Sequence, residues 1–148
     1  MSSVNNIRAV GAESAEALTA IHRACFPHYW DHEAFTDFFS VGGTHALLID
    51  GAAMMVYRVQ HEQADIITIA VLPEFRRHGL AKALMERALA HIRGLGASTL
   101  FLDVEDGNLA AVRLYEGLGF KEIRRRKLYY RQKDGSYTDA LVMSRKLA

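Results

Sequence analysis

Apolar residues recur along this chain with two periods, and the alternation between them lays out the elements. Ala17, Leu18, Ile21 and Cys25 fall at the spacing of one helix face and predict a helix over Ser14 to Cys25, which Pro27 ends. Asp31 is placed to cap a second, short helix whose apolar positions are Phe35, Phe38 and Phe39. Ile7 to Val10 reads as a short first strand, and Gly42-Gly43 marks a turn. His45 to Ile49 and Ala52 to Val59 form a hairpin pattern around Asp50-Gly51, a strong two-residue turn signal. Ala64 to Leu72 is apolar on nearly both faces, as central strands are.

The longest helical pattern runs from Gly79 to Leu95, with Leu80, Leu84, Ala88 and Ile92 as its core stripe and Gly94 and Gly96 as its stop. Thr99 to Val104 is the next strand, and Asn108 to Leu118 is a helix ended by Gly119. Phe120 to Tyr130 and Tyr137 to Lys146 are the last two strands, joined by Lys133-Asp134-Gly135-Ser136. An antiparallel start, a central strand–helix–strand–helix unit and a closing hairpin give an α/β or α+β layer fold around one twisted sheet.

Composition narrows the class. A chain of 148 residues is expected to be one domain, residues 1-148, burying roughly 70% of its unfolded surface. The formal net charge of +1 supplies no general drive toward nucleic acid or membrane. The single cysteine, Cys25, forms no internal disulfide, and Met1 to Asn6 lacks a basic segment followed by an apolar run, so a cytoplasmic location is the expectation. Cys25, His28 and His32 are spaced as metal ligands can be, but Pro27 interrupts them and no further ligand pair exists, so no metal is expected.

The chemistry begins where the central strand meets the long helix, at Arg76-Arg77-His78-Gly79-Leu80-Ala81-Lys82. A helix start carries unpaired N–H groups and about half a positive charge. Gly79 removes the side chain that would obstruct a phosphate, Ala81 is nearly as small, and Arg76, Arg77 and Lys82 add cations. These are the requirements of a pyrophosphate site. Neither G-x-x-x-x-G-K-[ST] nor G-x-G-x-x-G is present, which excludes the nucleotide-hydrolase loop and the dinucleotide fingerprint. Taken alone, an ordinary helix start with an incidental glycine stands equally well.

A second segment decides between them. Asn108, Ala111, Leu114, Tyr115, Glu116, Gly119 and Phe120 fill every position of N-x-x-A-x-x-L-Y-E-x-x-G-F, and Arg76 to Ala81 reads as [Q/R]-x-x-G-x-[G/A]. With both motifs the chain resembles the GNAT superfamily of acetyl-CoA-dependent N-acetyltransferases over nearly its whole length. Phe26-Pro27 with Trp30, Ile69-Ala70-Val71, Tyr129-Tyr130, and Asp134-Gly135 followed by Asp139-Ala140-Leu141-Val142-Met143 are similar to the RimI-type subgroup, which acetylates the N-terminal alanine of a ribosomal protein.

The resemblance implies a mostly antiparallel mixed sheet of about seven strands with about four helices, the fourth and fifth strands splayed. It implies acetyl-CoA as co-substrate. Ile69, Ala70 and Val71 would pair with the pantetheine, and a strand-end amide near Val71 or Leu72 would serve as oxyanion donor. Arg76, Arg77, His78, Gly79, Leu80, Ala81 and Lys82 would hold the pyrophosphate, and Asn108 would bind pantetheine, cap its helix, or both. Asp103 stands where the subgroup has a glutamate base, with Glu105 on the same strand face as the reserve. Tyr115 is the acid implied for the departing thiolate.

Cys25 is far in sequence from both motifs and is not expected to be a nucleophile. Arg124-Arg125-Arg126-Lys127 reads as a solvated strand edge with two outward arginines, in preference to a contact with ribosomal RNA or a cofactor phosphate. Trp30, Tyr129 and Tyr130 either wall an acceptor groove or pack in the core. The acceptor is a protein N-terminus, most naturally that of a ribosomal protein, or a small-molecule amine, and the enzyme a monomer or weak dimer. A non-catalytic acetyl-CoA-binding module is the third reading.

Overall fold

The run Gln63–Val71 becomes β4, the middle strand of seven. The computed structural model describes residues 6–147; Met1–Asn5, read above as lacking a signal, and Ala148 lie outside the described residues. The strands are β1 Ile7–Val10, β2 Thr44–Ile49, β3 Ala53–Gln60, β4, β5 Thr99–Glu105, β6 Lys121–Arg131 and β7 Tyr137–Lys146; the helices are α1 Ala15–Cys25, α2 His32–Phe39, α3 Leu80–Gly94 and α4 Leu109–Gly117. The sheet order is β1-β2-β3-β4-β5-β7-β6. β7 therefore inserts between β5 and β6, which leaves β6 as an exposed edge along almost its whole length.

Alternation along the strands sends side chains into two cores, one on each face. Leu80, Leu84, Ala88 and Ile92, the expected stripe of α3, pack with Leu47, Met55, Tyr57, Leu100, Leu102 and Tyr115 on one face. Leu18 and Ile21 of α1 and Phe35 of α2 pack with Leu48, Met54, Val56 and Ala70 on the other. Asp31 caps α2 as expected, accepting the Ala34 N–H at 2.9 Å, and Gly96 closes α3 at φ 89°.

The α1–α2 connection is held by an aromatic stack. His22 is 3% exposed, lies 4.3 Å from the Phe26 ring and 4.6 Å from the Trp30 ring, and its Nδ1 accepts the Trp30 N–H at 3.0 Å. Trp30 in turn packs on Phe38 of α2. This fixes the loop that borders the site described below.

Burial lowers the His22 pKa from 6.5 to about 4, because the charged imidazolium is poorly solvated there. The unfolded chain takes up this proton first, so the stabilisation is complete above pH 6.5 and is lost as the pH falls toward 4. His22→Asn keeps an acceptor and removes the titration. Its thermal midpoint should fall less between about pH 7 and about pH 5 than that of the wild type, which differential scanning calorimetry will read.

Candidate active site

β4 and β5 run parallel but stay together for only three register pairs, Gln63–Thr99, Ala64–Leu100 and Asp65–Phe101. Beyond these, β4 continues to Val71 and β5 to Glu105 without pairing. A bulge accompanies the divergence: Val56 of β3 opposes Thr68 while Tyr57 opposes Ile66, so Ile67 is an extra residue on β4. The result is a slot through the sheet, and the expected splay of the fourth and fifth strands is present.

The slot has an open backbone edge. Leu72 donates its N–H to Ala52 on the β3 side at 2.9 Å. In an antiparallel ladder backbone groups alternate in direction, so Ala70 also serves β3 while Ile69 and Val71 face the slot. The expected strip is thus narrower: Ala70 contributes only a small side chain, packed in the α1 core. Leu72 is removed as an oxyanion donor, leaving the Val71 N–H. The Val71 carbonyl already accepts from Arg76 Nε at 2.9 Å and from Cys25 Sγ at 3.4 Å. Cys25, distant in sequence, is therefore close in space. Burial pushes its thiol pKa up against the opposing pull of Arg76, which keeps it a poor nucleophile.

At the end of β4 the chain makes one 3-10 turn, Pro73–Phe75, and then enters α3 through two left-handed residues, Arg77 at φ 67° and Gly79 at φ 77°. No side chain caps this helix, in contrast to α2 and α4. Among the described residues nothing accepts from the amides of Leu80, Ala81 and Lys82. A Cβ built on Gly79 would meet no atom within 4 Å. The glycine answers to the backbone angle and leaves clear space above the amides, which fits a bound phosphate. Arg77 and His78 are exposed beside it, and Lys82 lies 4.0 Å from Glu86. Asn108 caps α4, its Oδ1 accepting the Ala111 N–H at 3.3 Å.

Asp103 and Tyr115 approach from opposite faces. Asp103 is one-quarter exposed at its side chain and 3.5 Å from Arg126 Nε. Glu105 shares its face but is engaged, accepting from Thr138 Oγ1 at 2.7 Å and from Gln132 Nε2 at 2.5 Å. Tyr115 packs edge-on to Phe120 in the α3–α4 core, and burial raises its phenol pKa to about 12. Its hydroxyl has no partner among the described residues, yet it is not sealed off; only Thr19 Oγ1 is both enclosed and unpaired there. Tyr130, read above as either a groove wall or a core residue, is half-buried. Its phenol pKa is raised by burial first, then by the neighbouring Asp103, Tyr129, Tyr115 and Glu105. That position depends on the β6–β7 pairing and left no local signal in the sequence.

On the Asp103 face the slot opens into a cleft of about 540 Å³ lined by Trp30, Phe38, Asp65, Asp103, Arg126 and Tyr129, with Arg58, Arg124 and Ile123 beside them. The basic run on β6 is only partly a solvated edge. Arg125 points to the other face and bonds Asp106 at 2.6 Å and Asp139 at 3.0 Å. Arg124 and Arg126 border the cleft, because β7 carries β6 alongside β5. Trp30 is both a wall and a packing residue, whereas Tyr129, half exposed, is a wall.

Residues 15–120 match the acetyltransferase (GNAT) family, and the chain belongs to that family. A ribosomal protein bS18-alanine N-acetyltransferase of Escherichia coli (strain K12) is 40% identical over 93 residues, which is 63% of this chain and 62% of that protein, so the match spans less than two thirds of the relative. The crystal structure of the ribosomal-protein-S18-alanine N-acetyltransferase from Escherichia coli superposes with a TM-score of 0.86 at 30% identity, covering 96% of this chain and 93% of that one. Arabidopsis thaliana NAA60, solved in complex with acetyl-CoA, shares the fold with a TM-score of 0.80 at 21% identity, over 95% of this chain and 97% of that one.

Gly79→Ala tests the cradle. The left-handed angle costs about 1–2 kcal/mol of folding stability, with no added clash inside the protein. A methyl above the amides should in addition weaken coenzyme A binding by at least about tenfold, read by isothermal titration calorimetry on the folded variant.

Proposed function

We propose that this chain transfers an acetyl group from acetyl-CoA to the N-terminal α-amine of a peptide, with a ribosomal protein as the acceptor. The observation that carries this reading is the slot between β4 and β5. It connects an uncapped helix start and an open strand edge at one end to a charged cleft on the Asp103 face at the other.

The chain's own groups fit both reactants. The amides at the start of α3, with Arg77, His78 and Lys82 beside them, hold the pyrophosphate; the free backbone groups of Ile69 pair with the pantetheine amides, the Val71 carbonyl being taken by Arg76 and Cys25. The Val71 N–H is the remaining strand-end donor for the thioester carbonyl oxygen. The thioester supplies the acetyl group. The amine attacks its carbonyl carbon directly, the C–N bond forms and the C–S bond breaks, with no acyl-enzyme.

A peptide α-amine has a pKa of about 7.7–8.0 and needs only a mild base, whereas a lysine amine near 10.4 needs far more. Asp103 takes the proton, directly or through water. Glu105 is held in its bonds to Thr138 and Gln132 and is the weaker candidate. The Tyr115 phenol, at about 12, stays protonated throughout the working range and donates to the departing thiolate. Holding the two reactants in line through the slot supplies much of the acceleration.

The cleft lies beside the exposed strand β6, and this open flank favours an extended peptide over a small-molecule amine.

Two experiments test the proposal. Asp103→Asn and Tyr115→Phe should each lower kcat by about 100-fold or more with the KM for acetyl-CoA nearly unchanged, while Glu105→Gln stays within about threefold of wild type. If Glu105→Gln shows the larger loss, the base is misassigned. An alanine-starting ribosomal-protein peptide incubated with acetyl-CoA should gain one acetyl group at its α-amine by mass spectrometry. Gain on polyamines alone would establish a small-molecule enzyme instead.

A further inference from the structure

Asp65 is needed by neither the fold nor the chemistry described so far. It sits on the central strand, where aspartate is disfavoured, between buried Ala64 and Ile66. Its side chain is exposed into the cleft, and among the described residues no donor or cation lies within bonding distance of it. The arginines nearby are committed elsewhere: Arg58 donates to Thr44 Oγ1 at 3.0 Å, and Arg126 is paired with Asp103.

The position of Asp65 separates it from the reacting amine. It belongs to the last register pair before β4 and β5 part, opposite Phe101. Asp103 lies further along, where the slot is open. A group bonded to Asp65 is therefore a second group of the acceptor. Burial and the neighbouring Asp103 charge raise the Asp65 pKa, against the pull of Arg58 and Arg126, so an incoming cation would relieve an unfavourable placement.

We propose that Asp65 selects among acceptors by receiving a cationic side chain next to the reacting α-amine, so that the preferred peptide carries Lys or Arg at its second position. This role rests on the peptide reading of the cleft. An acidic second residue would meet two carboxylates, with Arg124 out on the edge strand as the one cleft arginine free of an ion pair or hydrogen bond among the described residues.

The test compares alanine-starting peptides with lysine, norleucine or glutamate at the second position, using wild type, Asp65→Asn and Asp65→Thr. Wild-type kcat/KM should favour lysine over norleucine by about tenfold and over glutamate by more. Both variants should lose that preference while keeping the norleucine rate and the KM for acetyl-CoA. An equal fall on all three peptides, or an unchanged preference, overturns the role of Asp65. If wild type acetylates no peptide, the peptide reading itself fails. Selection is then read on a diamine against the monoamine of equal length, and equal rates there overturn the role of Asp65 as well.

Discussion

The parallel contact between β4 and β5 is the constraint on which the rest depends. It is long enough to join the two halves of the sheet and short enough to leave both strands with unpaired backbone beyond Asp65 and Phe101. Unpaired N–H and C=O groups inside a fold are costly unless something satisfies them. Here the Val71 carbonyl is met by Arg76 and Cys25, and the remaining groups along the slot are available to a ligand with amides of its own. The bulge at Ile67 belongs to the same device, since an extra residue bends a strand away from its neighbour.

The charged cleft follows from a second topological fact, the insertion of β7 between β5 and β6. Asp103 and Arg124 oppose the same β7 residue, Val142, while Glu105 and Arg126 oppose Ala140, so the four side chains share one face of the sheet. The edge strand is kept in place by charge as well as by ladder bonds. Asp139 accepts from Arg125 and from the Leu128 N–H at 3.0 Å, which supports the irregular stretch where Leu128 takes φ 52°. Surface ion pairs of this kind contribute little to stability, but they fix where Arg126 and Tyr129 stand, and those two border the cleft.

Much of the fold was legible locally. The helix stripe Leu80, Leu84, Ala88, Ile92 and the turn at Asp50-Gly51 obey short-range rules, and the element bounds agree with the observed ones within a residue or two. The uncapped start of α3 was legible for the same reason: the glycine, the amides and the neighbouring cations are contiguous in the chain. Asp103 and Tyr115 are read from their motif positions; Asp103 borders the cleft and Tyr115 lies in the core on the opposite face of the sheet. Asp65, Tyr130 and the inward arginines were not legible, because each acquires its surroundings from strands far away in sequence. The same holds for Cys25, whose neighbour Val71 lies 46 residues along the chain, and for Glu105, whose hydrogen bonds come from the last hairpin.

By itself, then, the sequence determined the elements, the two faces of each strand and the chemistry that neighbouring residues make together, since periodicity, capping and helix-start electrostatics act over one or two turns of chain. Only the tertiary structure decided how far β4 and β5 stay paired, which strand lies beside β5, and hence which charges face one another across the cleft. Those are long-range backbone pairings, and a register or strand order changes every cross-strand neighbour without altering any local pattern.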